Sequence, residues 1–171
     1  MKTQSKLGGI ALSLLILVGT LPVAAPMTGC NTSTVAALVT TLGNASASIA
    51  ALEGDSALAA TLQKDTAAAA AAVANWKQGT PAQDVVQALQ LVQADLSLFP
   101  LTSVYAPLID LALGTVVSII EIVDPNAVPV TANVAGHQVR IVHLANPPKN
   151  AKQFSAQWNT DAKLIPGAPV I

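Results

Sequence analysis

Charge and aromatic rings are both scarce in this chain. Of 171 residues, 10% are charged, where an ordinary soluble domain carries about 25%, and 3% are aromatic. Two Phe, two Trp and one Tyr are too few to line a roomy pocket. The core must therefore come from Ala, Val, Leu and Ile, which favours close contact between helices. A single cysteine excludes an internal disulfide. His137 and His143 are the only imidazoles, and on one strand their six-residue spacing would put them about 20 Å apart, too far to share a metal. The sequence has no Gly-rich phosphate loop, nucleophile elbow or metalloprotease helix motif. These gaps lead us to expect no catalytic residue, no metal and no cofactor, hence a protein that is not an enzyme.

No basic run is dense enough to meet nucleic acid, so that class of partner is not expected either. The charges that exist are unevenly placed. From Glu53 to Asp124 there are eight acidic residues and two lysines, a net −6; from Pro125 to Ile171, Arg140, Lys149, Lys152 and Lys163 against Asp161 leave +3. The basic end is read as packing on the acidic helices or as solvated.

What the sequence does have begins at the N-terminus. Lys2 and Lys6 precede an apolar run, Ile10 to Val18. This is the n-region and h-region of a signal peptide. As a permanent span it falls short: Ile10 to Ala25 is 16 residues, roughly 24 Å of helix, and Pro22 interrupts it. The rival, secretory cleavage after Ala25, would leave Pro26 first in the mature chain. Met27-Thr28-Gly29-Cys30 then resembles the lipobox of bacterial lipoproteins, in which an aliphatic residue, a small residue and Gly or Ala precede Cys.

The resemblance covers residues 1–30 and no family is recognised for 31–171. It implies that Met27, Thr28 and Gly29 are read by the signal peptidase. Residues 1–29 are removed, and Cys30 carries a diacylglyceryl group of palmitate-like acyl chains, which makes membrane lipid its partner. Asn31 after the cysteine implies the periplasmic face of the outer membrane in an organism with two membranes. Residues 30–34 are expected to be the lipidated end and a short tether of roughly 14 Å.

Residues 35–123 read as a helical bundle. Val35, Leu38, Leu42, Ala45, Ile49 and Leu52 follow 3-4 spacing through Gly43-Asn44. Glu53-Gly54-Asp55 makes a turn and Asp55 caps a second helix, with Leu58, Leu62, Ala69, Val73 and Trp76 on one side and Gly79 as its stop. Its alanine run, Ala67 to Ala72, suits a closely approaching neighbour. Thr80-Pro81-Ala82-Gln83 reads as N-cap, N1 proline and capping box of a third helix that buries Val85, Leu89, Val92, Leu96 and Phe99. The fourth, Pro107 to Val123, is apolar nearly all round except for Asp110, Gly114, Ser118 and Glu121, a narrow small-or-polar stripe expected to mark helix packing.

Residues 124–171 read as a mixed appendage. Val128, Val130, Ala132 and Val134 alternate, and Ala135-Gly136 would turn them into a second strand, His137 to Leu144. Asn150 is expected to cap a last helix bearing Phe154 and Trp158, and Pro166-Gly167 to end it.

The expected architecture is mainly α: an up-down bundle of about four helices with a small β-hairpin/helix appendage. The expected function is a lipid-anchored, non-enzymatic structural or interaction protein of the bacterial cell envelope, with an envelope protein as a further partner. Two alternatives stand beside it: a membrane-active or phage-lysis-type protein whose fourth helix enters the bilayer, and a carrier of an apolar ligand.

Overall fold

Asn31 opens the first helix. Its side-chain oxygen accepts hydrogen bonds from the backbone N–H (3.1 Å) and hydroxyl (2.7 Å) of Ser33, and α1 runs over Thr32–Leu52. The computed structural model describes residues 31–77, 81–127, 133–134, 137–138 and 140–171. The chain is mainly helical.

The stripe on α1 faces inward: Leu38, Leu42, Ala45 and Ile49 are fully buried, although Leu52 at its end is exposed. Gly43-Asn44 does not break the helix. The turn after α1 has Gly54 at φ 84°, a left-handed conformation that glycine adopts without strain. Asp55 then accepts from Leu58 N–H at 2.9 Å and starts α2, Ser56–Asn75. Helix α2 stops earlier than expected. Trp76 is already extended, so it lies just past the helix, and Gly79 lies outside the described residues. Of the alanine run, Ala69 is buried while Ala67, Ala68 and Ala71 face outward.

Helix α3 spans Gln83–Ser97, and Ala82, which has no side-chain acceptor, occupies the N-cap position. This corrects the expected cap at Thr80, a residue outside the described set. Gln83 becomes the first helical residue and cannot close a capping box. Asp84 puts negative charge in the first turn, where the helix dipole favours it. The inward face is as expected: Val85, Leu89, Val92, Leu96 and Phe99 are buried.

After turns through Pro100–Tyr105, α4 covers Ala106–Val123 with eleven buried residues. Neighbours in sequence pack on each other, and α4 also touches α1. The side chains of Ser103 and Glu53 are hydrogen-bonded, so the α3–α4 connection lies beside the α1–α2 turn. At the other end, Thr32 of α1, Val73 of α2 and Ile122 of α4 border one cavity. Chain direction therefore reverses from α1 to α2 and from α3 to α4.

The hairpin appendage is not shown in the expected form. Among the described residues β1 is Asn133–Val134 and β2 is His137–Gln138, an antiparallel pair with Asn133 opposite Gln138. Residues 140–144 continue without strand structure. Val128, Val130, Ala132 and the Ala135-Gly136 turn lie outside the described residues. The last helix, α5, spans Ala151–Ala162 and is capped by Asn150, whose side chain accepts from Gln153 N–H at 2.9 Å. It packs on α1 and α4. Phe154 and Trp158, 5.6 Å apart between ring centres, are fully buried and belong to the same core as α1–α4. The last helix is thus part of the main core and no appendage to it. The tail folds back on it: Trp158 donates to Pro169 O at 2.8 Å, and Asn159 exchanges two hydrogen bonds with Ile171.

The tightest contact joins α1 to α2. A Cβ on Gly43 would lie 2.5 Å from both Cβ and Cγ2 of Thr66, which is itself buried with its hydroxyl donating to Leu62 O. Gly43→Ala gains roughly 1 kcal/mol of helix propensity but overpacks the interface, which costs about 1–3 kcal/mol. We expect a net loss on the order of 1 kcal/mol and a lower denaturant midpoint. A midpoint equal to or above the parent's would show that the helices can part at no cost.

Candidate functional site

Met27, Thr28, Gly29 and Cys30 lie outside the described residues, which start one residue after the cysteine. The sequence expects a tether through residue 34, whereas α1 already holds residues 32–34. Asn31 alone separates Cys30 from the helix.

The stripe on α4 is covered at its middle, where Gly114 is buried, and open towards Asp110 and Glu121. Its neighbour is an extended segment, residues 140–144, and not a helix. Asp110 pairs with Arg140 at 2.7 Å, with side chains 41% and 18% exposed. A Cβ on Gly114 would meet Leu144 Cγ at 2.5 Å, so glycine is what lets Leu144 lie against the helix. The Ser118 hydroxyl donates to Gly114 O at 2.9 Å. Glu121 sits 3.4 Å from His143 Nδ1, both side chains well exposed. The backbone of Arg140 is held from α3: its N–H donates to Ser97 Oγ at 3.1 Å, and its carbonyl accepts from the fully buried Gln93 at 3.4 Å. Asp110, Gly114 and Glu121 thus meet a strap while Ser118 bonds within its own helix, and nothing in this arrangement brings two carboxylates together.

Arg140 and Leu144 escape sequence reasoning because their partners lie about thirty positions earlier in the chain. The only signal was that an apolar helix with one polar stripe needs something to meet that stripe.

Two further places carry unusual chemistry. On the α2–α3 interface, burial pushes the Asp95 carboxyl up from 3.8 to about 7, and the charge of Asp65 and a hydrogen bond with it push the same way, with Lys64 opposing. At the end of the bundle where α1 begins and α2 and α4 finish, a cavity of about 30 Å³ is lined by Thr32, Val35, Val73, Trp76, Ile119 and Ile122. No group of three or more His, Cys, Asp or Glu capable of holding a metal occurs among the described residues. No protein family matches the chain, and neither a curated protein nor a solved structure is significantly similar to it.

The raised Asp95 pKa sets a pH dependence with a definite sign. The fold favours the protonated acid, so this stability is complete below the unfolded value of 3.8 and is lost as pH rises to about 7. Asp95 is only half buried, so solvent screening reduces the effect to on the order of 1 kcal/mol. Asp95→Asn should leave stability near pH 4 almost unchanged and raise the thermal midpoint at pH 8. Equal shifts at both pH values would show that Asp95 does not titrate in this window.

Proposed function

We propose that this chain is a lipid-anchored, non-enzymatic structural or interaction protein of the bacterial cell envelope. The observation that carries this reading is Met27-Thr28-Gly29-Cys30 at the end of an n-region and h-region. The start of α1 supports it. A helix beginning at Thr32, capped by Asn31, leaves the proposed cleavage point immediately before the folded domain. Two or three acyl chains hold a protein at a membrane essentially permanently, whereas one is marginal. Asn31 after the cysteine supports the periplasmic face of the outer membrane as its location, in a host that has one.

The membrane-active alternative also has an observation behind it. Helices α1 and α4 are both long and apolar enough to cross a membrane by length and composition, and α4 has a mean hydropathy of 2.0 over 18 residues. Against it, 61% of that window is buried inside the protein and the middle of its polar stripe is covered by the strap. A core helix of a bundle has the same composition, which favours the anchored-domain reading.

Intact-mass analysis of protein extracted from membranes should find a chain that begins at Cys30 and carries acyl mass. Cys30→Ala should accumulate as unprocessed precursor. A soluble mature chain beginning at Pro26 or nearby overturns the proposal. The alternative is tested separately, with residues 31–171 produced without the cysteine and added to dye-loaded lipid vesicles. We expect the vesicles to stay intact; dye release would promote the membrane-active reading.

A further inference from the structure

We propose that the cavity at the start of α1 is the seat of an acyl chain carried by Cys30 of the same molecule. The inference rests on the lipid-anchor reading above.

Three observations lead to it. The first is reach. Thr32 is one of the residues lining the cavity, and two residues of extended chain span at most about 7 Å. A chain attached two residues before Thr32 is therefore within reach of the opening, and Asn31, the one residue between, is held as the helix cap.

The second observation is chemistry. The walls are Val35 at the start of α1, Val73 near the end of α2 with Trp76 just past it, and Ile119 and Ile122 near the end of α4. A water molecule there would find no ring of polar partners, and cavities of that kind stay dry and take hydrocarbon. The third is size and access. About 30 Å³ of cavity is room for a short stretch of chain and not a whole one. The remainder of that chain, and the other chains on Cys30, run into the bilayer. Ile122, 57% exposed, forms the apolar lip over which the chain leaves. Seating one chain in this way would fix the orientation of the bundle, with the ends of α2 and α4 towards the membrane.

The test uses the full-length protein, processed in cells that are fed a fatty acid bearing a diazirine on its chain. The acylated protein is extracted in detergent, freed of cellular lipid and irradiated, so that the only photoreactive chains left are those on Cys30. Peptide mapping should find intramolecular adducts on the peptides that carry Val73–Trp76 and Ile119–Ile122. The variant Ile122→Asp, at an exposed position that should not disturb folding, should lower the yield of those adducts several-fold. Adducts confined to other parts of the chain, in a protein whose intact mass shows acylated Cys30, would overturn the seat and leave the anchor standing. Absence of any acyl mass on Cys30 would overturn both.

Discussion

Side-chain volume is the constraint on which the rest of this structure depends. A bundle so rich in alanine leaves space between its helices unless backbones come closer or bulk is brought in from elsewhere in the chain. Both devices are present. Gly43 lets α1 rest directly on Thr66 of α2, where even a methyl group has no room. Where the helices cannot close up, the C-terminal part of the chain supplies large groups. Phe154 and Trp158 from α5 are fully buried in the common core, and Leu144 lies against Gly114. Two of the chain's five aromatic residues are thus placed together at one point.

This arrangement explains how the apolar surface of α4 is covered within the chain. It is surrounded by α1, α3 and α5, and the polar stripe that those helices leave is met by residues 140–144. The strap is itself polar where it must be. Arg140 satisfies Asp110 by charge while its backbone is pinned by Ser97 and Gln93 of α3. A partly exposed ion pair of this kind contributes little alone. Its effect here is positional, because it sets the register that brings Leu144 down on Gly114. Residues 140–171 are therefore as much a part of the fold as the four helices before them.

The elements legible in the sequence were those whose signals are local. Inward stripes at 3-4 spacing placed α1 to α4, and the caps at Asp55 and Asn150 could be read because each has a side-chain oxygen able to reach a nearby N–H. Thr80-Pro81 offered the same kind of signal, yet α3 starts at Gln83, with the charge of Asp84 and the apolar face of Val85 and Val86 fixing where the helix begins. The alternation from His137 to Leu144 suggested a strand. That pattern also suits an extended segment pinned on helices, and only contacts to Gln93, Asp110 and Gly114 distinguish the two. Such contacts have no local trace. The same holds for Asp95, whose carboxyl is pushed up by burial between α2 and α3 and then by Asp65 one helix away.

Under the lipid-anchor reading, the closeness of Cys30 to α1 decides how the domain meets the membrane. With Asn31 as the only linker, the 21 residues of α1 stand about 32 Å tall from the point of attachment. Among the described residues, the helix ends on that side carry Asp84 in the first turn of α3, Glu121 in the last turn of α4 and Asp124 just after it, with Lys77 just past α2. Within a Debye length of about 8 Å, these three acids against one base face an anionic headgroup surface without net attraction. Electrostatics therefore does not hold this end down, and covalent lipid has to. The same balance argues against α4 entering the membrane from this end, because Glu121 and Asp124 would have to go in first.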